Sequence, residues 1–150
     1  MKRYLLDTNV LSALAPGKAD KPVLDPALMS WIRANTDALF ISAITAIEIE
    51  AGVLKLGRTS PGRWHARLSN WFALILNEYG DRILAADLPV ARVASLMTDR
   101  SKAKGEYPGF PDVVIAATAV AYDLILLTRN LKHFDSLGVP GIDPFERLPS

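Results

Sequence analysis

Four oxygen-bearing side chains in this sequence could do chemistry together if the fold gathers them. Asp7 follows an apolar run in Tyr4-Leu5-Leu6-Asp7-Thr8-Asn9, and Glu48 lies between Ile47 and Ile49. Asp112 comes directly after Pro111, and Asn130 closes Leu127-Thr128-Arg129-Asn130. Three carboxylates in one pocket repel strongly. Two unit charges at 4 Å cost about 4 kcal/mol at an effective dielectric of 20, and three such pairs cost on the order of 10 kcal/mol, comparable to a domain's whole stability. Protonation or a cation must relieve that repulsion. With carboxylates as donors and no cysteine in the chain, the cation implied is a hard one, Mg²⁺ or Mn²⁺. Such an ion keeps open positions that phosphate oxygens fill and activates a bound water, so metal-assisted phosphodiester hydrolysis leads. Each residue taken singly also has a structural reading. Asp7-Thr8-Asn9 can form an Asx-turn, Asp112 beside Pro111 suits a helix first turn, Asn130 can cap, and Glu48 can be a surface acid.

The elements that must position these groups are legible as alternating short apolar runs and helical patterns. Strands are expected at Tyr4–Leu6, Leu39–Ile41, Arg82–Ala86 and Leu124–Leu127, with an edge strand around Val139–Ile142. Helices are expected over 10–15, 27–35, 42–56, 63–79, 90–102 and 112–122, and loops over 18–26, 57–62 and 104–111. The helix after Ser42 carries its apolar positions at Ile44, Ile47, Val53 and Leu54. The helix opened by Asp112 is small-sided, with Ala116, Ala117, Ala119 and Ala121, and suits close packing on a sheet. Strands alternating with helices predict a three-layer α/β/α sandwich around a mostly parallel sheet of four to five strands. On that scheme Asp7, Glu48, Asp112 and Asn130 fall on one edge, where ligands of open parallel sheets bind.

Bulk properties set the frame. The 150 residues suit one domain spanning 1–150; half are apolar, 22% are charged and the net charge is +1. Charge alone therefore selects no polyanion partner. The absence of cysteine excludes disulfides and thiol catalysis and favours a reducing compartment. Asp7 and Asn9 interrupt the N-terminal apolar run too early for a signal peptide, and no window is long enough to cross a membrane, so a cytoplasmic location is expected.

At this point the residues resemble a known family, the PIN-domain ribonucleases, and more narrowly the VapC-type toxins of bacterial toxin–antitoxin pairs. The resemblance rests on 5–11 (Leu-Leu-Asp-Thr-Asn-Val-Leu), 41–49 (Ile-Ser-Ala-Ile-Thr-Ala-Ile-Glu-Ile) with Gly52, Asp112 in Asp-Val-Val-Ile-Ala-Ala-Thr-Ala, and 127–130 with Phe134. It covers essentially the whole chain. It implies a PIN-like α/β/α fold, an acidic quartet binding Mg²⁺ or Mn²⁺, and endoribonuclease activity. Carried over by position, Asp7, Glu48 and Asp112 are the catalytic, metal-site acids, with Thr8, Asn9 and Thr128 in support. The fourth acidic position is here Asn130, at best a neutral oxygen ligand, which bears on whether a second metal binds. The resemblance further implies a homodimer, a small antitoxin that blocks the site, and a possible larger complex with it.

No acid occurs between Glu50 and Glu78, whereas Lys55, Arg58, Arg63, His65 and Arg67 fall in that interval. With Arg129, the residues Lys55, Arg58 and Arg63 are candidate RNA contacts; a solvated face is the plain alternative. Trp64 and Trp71, seven apart, read as core or dimer contact, and His65 and His133 as ordinary surface residues. Two other functions compete. A haloacid-dehalogenase-like phosphatase also opens on a strand-end aspartate, but wants a second acid where Asn9 stands. A catalytically weak domain acting by binding RNA or protein is the non-enzymatic alternative.

Overall fold

Leu6 pairs with Ile41 on one side and Leu127 on the other, which places the first strand at the middle of the sheet. The structure is a computed structural model that describes residues 1–18 and 24–150. Its five strands, all parallel, are β1 (Tyr4–Leu6), β2 (Leu39–Ser42), β3 (Ile83–Leu84), β4 (Ile125–Leu127) and β5 (Gly141–Ile142), in the order β3-β2-β1-β4-β5. The helices are α1 (Thr8–Ala13), α2 (Pro26–Ala34), α3 (Ala43–Thr59), α4 (Arg63–Tyr79), α5 (Leu88–Ala103), α6 (Phe110–Ala121) and α7 (Leu131–Asp135).

Alternation along the buried strands builds the three layers. Tyr4, Leu6, Leu39, Ile41 and Leu127 point to one face, where Ile49 and Val53 of α3 and Phe72 and Ile75 of α4 cover them. Leu5 and Leu126 point to the other, against Ile115, Ala116 and Ala119 of α6 and Phe134 of α7. The expected sandwich is the observed one. The alanine-rich helix is sealed on both sides: Val90, Val114 and Ala117 form a further cluster between α5 and α6.

Several element boundaries differ from the sequence pattern. Helix α3 runs through Gly57 to Thr59, into the first half of the expected loop, because α4 packs against it and rewards the extra turn. Ile47 and Leu54 of that helix are exposed, while Thr45, Ile49 and Val53 take the inward face. The third strand shrinks to two residues, since its neighbour β2 pairs only across Ile41 and Ser42. Helix α7 has no strong apolar period and was not expected; a single buried side chain, Phe134, anchors it. Of the expected 18–26 loop, residues 19–23 lie outside the described residues.

The strand order has one consequence for chemistry. From β1 the chain proceeds to β2 and β3 on one side, and later returns to β4 and β5 on the other. Such a reversal opens a crevice beyond the carboxyl ends of the two strands at the switch, here β1 and β4. Asp7 is the residue after β1, and Thr128 to Asn130 follow β4.

Candidate active site

The crevice is an open cleft of about 590 Å³, lined by Asp7, Glu48, Asp112 and Asn130 together with Thr8, Asn9 and Arg129. Residues from four separate segments therefore meet where the sheet switches direction.

Asp7 is the buried member, 4% exposed. It is both cap and cleft residue: its Oδ1 accepts the Thr8 N–H at 2.7 Å, capping α1, and its Oδ2 accepts the Thr128 hydroxyl at 2.7 Å. The Thr128 hydroxyl in turn accepts the Asn130 N–H at 2.9 Å, so its single proton is committed to Asp7. Burial pushes the Asp7 carboxyl up to about 6, and the negative charges of Asp112 and Glu48 add to the rise; the bonds from Thr128 and Thr8 act against it.

Glu48 sits on α3, one and a half turns in, and is exposed to the cleft mouth. Its Oε1 accepts the Thr8 hydroxyl at 2.7 Å. Because Thr8 has one hydroxyl proton, the fully buried Thr45 hydroxyl, 3.0 Å away, must donate to Thr8. A two-step chain thus runs from inside α3 to the Glu48 carboxylate. Asn9 ties the two switch-point loops together, its Oδ1 accepting the Arg129 N–H at 3.3 Å.

Asp112 lies in the first turn of α6, behind Pro111. Its Oδ2 lies 2.9 Å from Nδ1 of His133 on α7, and Asn130 lies 3.2 Å from the same nitrogen. This corrects the reading of His133 as an ordinary surface residue. The one signal in sequence was its spacing, three residues after Asn130, which puts both on one side of a helical turn. Thr45 was likewise missed; its place one turn before Glu48 was the available clue.

The basic candidates divide. Arg129 lines the cleft, with its guanidinium 4.6 Å over the Phe145 ring. Lys55, Arg58 and Arg63 are exposed on α3 and α4 but do not line the cleft; Lys55 stands about 10 Å along the helix from Glu48. Trp64 and Trp71 are half-buried and line an apolar groove of about 400 Å³ that shares Ser12, Ala13 and Glu48 with the cleft. The Trp64 indole N–H is used on the Pro16 carbonyl at 3.1 Å.

The donor chemistry fits a hard dication. Every carboxylate on the cleft presents oxygen, and Asp7 carries a buried charge that only a cation would neutralise without protonation. Among the described residues, no group of three or more His, Cys, Asp or Glu side chains is already drawn close enough together to hold a metal ion. An ion held by the cleft carboxylates would complete its shell with water and substrate oxygens, as Mg²⁺ does.

The sequence profile of the PIN domain matches residues 4–139. The chain belongs to the PIN-domain family. This PIN-domain protein is 33% identical over 144 residues to the VapC ribonuclease Y4jK of Sinorhizobium fredii, covering 95% of this chain and 97% of that one. It is 31% identical to the toxin FitB of Neisseria gonorrhoeae, covering 94% and 97%. Among solved structures, that of FitAcB from Neisseria gonorrhoeae superposes with a TM-score of 0.79 at 29% identity, over 94% of this chain and 97% of that one. The DNA-bound VapBC of Salmonella typhimurium, at 21% identity and a TM-score of 0.69, shares the PIN fold.

Proposed function

We propose that this PIN-domain protein is a divalent-metal-dependent endoribonuclease, the toxin of a toxin–antitoxin pair. One observation carries the reading: a buried aspartate at the end of the central strand, pushed up chiefly by its burial, opens onto the same cleft as two further carboxylates. Its relatives named as ribonuclease and toxin along nearly their whole length support it. Asp7, Glu48 and Asp112 would hold Mg²⁺ or Mn²⁺, and the ion would supply an activated water and charge stabilisation at the phosphate. The chain's own residues do the rest. Thr128 and the Thr8 N–H fix both oxygens of Asp7, and the Thr45–Thr8 chain directs Glu48 across the cleft. Arg129, braced on Phe145, offers a positive charge to the backbone of RNA. Lys55, Arg58 and Arg63 act at longer range, concentrating the polyanion.

A small antitoxin is the inhibitory partner in this reading. The apolar groove of Trp64, Leu68 and Trp71 adjoins the cleft and gives a covering segment a place to rest. A homodimer, and a larger complex with the antitoxin, belong to the same proposal. No helix among the described residues is long and apolar enough to cross a membrane, which accords with action on cytoplasmic RNA.

The test is cleavage of purified tRNA and rRNA with Mg²⁺ or Mn²⁺, with and without chelator. Asp7→Asn, Glu48→Gln and Asp112→Asn should each lose at least about a hundredfold in kcat/KM while remaining folded. Chelator-insensitive cleavage, or full activity in Asp7→Asn, would refute the assignment. Hydrolysis of small phosphomonoesters with RNA left intact would instead indicate the phosphatase reading. Binding of RNA without turnover would indicate a domain that acts by association alone.

A further inference from the structure

His133 brings a ring nitrogen into contact with a cleft acid, Asp112, and its geometry forces a choice on Asn130. A carboxylate oxygen and an imidazole nitrogen 2.9 Å apart must share a proton, or their lone pairs repel. The Asp112–His133 contact therefore places the proton on Nδ1, pointing at Asp112 Oδ2. This holds for the neutral Nδ1–H tautomer and for the imidazolium alike. Nδ1 then has no lone pair left for the Asn130 carboxamide 3.2 Å away. An NH₂ group there would face a donor. The carboxamide oxygen and nitrogen are alike in shape, so the hydrogen-bond network decides which end faces the ring. The oxygen must face it, sharing the Nδ1 proton with Asp112.

We infer that His133 is a positioning residue that holds Asp112 and turns the Asn130 amide so that its NH₂ faces the cleft, making Asn130 a donor to substrate phosphate rather than a ligand to the cation. The inference rests on the nuclease reading for its substrate and departs from the expectation that Asn130 supplies a ligand oxygen. It also gives the neutral residue a use. An NH₂ group beside three carboxylates contributes hydrogen-bonding capacity toward phosphate without adding a fourth negative charge to repel it. The backbone N–H of Asn130 is bound to Thr128 and so anchors the residue independently of its side chain.

Two measurements test this. In ¹⁵N-labelled protein without metal, long-range ¹H–¹⁵N correlation spectra should show the proton of the neutral His133 ring on Nδ1. A neutral Nε2–H tautomer with a bare Nδ1 would overturn the inference whatever the protein cleaves. Second, Mn²⁺ binding, followed by electron paramagnetic resonance, and RNA cleavage are compared in Asn130→Ala and Asp112→Asn. Asn130→Ala should keep Mn²⁺ affinity within about twofold and raise KM for RNA about tenfold, the effect of one hydrogen bond to a charged group. Asp112→Asn should weaken Mn²⁺ binding at least about tenfold. In a His133→Leu background the KM effect of Asn130→Ala should largely vanish, because the amide is no longer aimed. Equal losses of Mn²⁺ affinity in Asn130→Ala and Asp112→Asn would make Asn130 a ligand and sink the assignment. A wild-type protein that neither binds Mn²⁺ nor cleaves RNA would defeat the nuclease reading itself, a distinct result that leaves the tautomer measurement intact. His133 is half-exposed, so its replacement should leave the fold in place.

Discussion

Replacing Asp7 with Asn should make the metal-free protein more stable at pH 7, and the gain should fade toward pH 4. Asp7 is almost fully buried, and burial with two neighbouring carboxylates raises its carboxyl from 3.8 to about 6. The sign follows from proton counts. Below about pH 4 the group is protonated in both the folded and unfolded chain and contributes nothing. Between about pH 4 and 6 the folded protein keeps the proton and the unfolded chain releases it, so stability falls as pH rises. Above about pH 6 the folded protein carries the buried charge at a cost of about 3 kcal/mol. Asparagine avoids that charge and can still accept the Thr8 N–H, but it offers the Thr128 hydroxyl a poorer partner, an offset of about 1 kcal/mol. The net gain is about 2 kcal/mol at pH 7, which for a chain of this size raises Tm by about 4–8 °C. Thermal melts in chelator at pH 7 and pH 4 measure it directly. Adding Mg²⁺ should reverse the order, since an ion at a hundred times its Kd adds about 2.7 kcal/mol to wild type and little to the variant. A variant less stable than wild type in chelator at pH 7, or an equal gap at both pH values, would refute the account of Asp7 as an uncompensated buried anion.

Other outcomes follow from single contacts. Thr128→Val should destabilise by about 1–3 kcal/mol in urea melts, since Thr128 is fully buried and its hydroxyl serves both Asp7 and the Asn130 N–H, whereas Thr128→Ser should recover most of the loss. Phe145→Ala should raise KM for RNA about two- to fivefold with kcat nearly unchanged, because the ring braces Arg129 but touches no cleft acid. Asp87→Ala should lower stability by about 1 kcal/mol without changing activity; the carboxylate caps α5 at the Val90 N–H, receives the Tyr122 hydroxyl at 2.6 Å and does not line the cleft. Thr45→Val should reduce kcat while Thr45→Ser preserves it, as measured on RNA, because only a hydroxyl there can direct the Thr8 proton to Glu48.

The sequence by itself determined the sandwich and the edge at which Asp7, Glu48 and Asp112 gather. Short apolar runs between helical patterns can only be buried strands, and a parallel sheet follows from their alternation with helices. Asp7 was legible because a buried strand that ends on an acid delivers that acid to the carboxyl edge wherever the strand lies. Glu48 and Asp112 were legible as residue types at helix positions after strands or loops, though Glu48 owes its direction to Thr8 rather than to a buried face. What only the tertiary structure decided was which groups touch. The pairing of β1 with β4 brings Thr128 to Asp7 across 121 positions of sequence, and the short helix α7, whose buried side chain is Phe134, places His133 on Asp112. Neither contact has a local signature. Strand order and the seating of one aromatic ring are long-range outcomes of burial, and the partners of each cleft side chain are set by them rather than by neighbours along the chain.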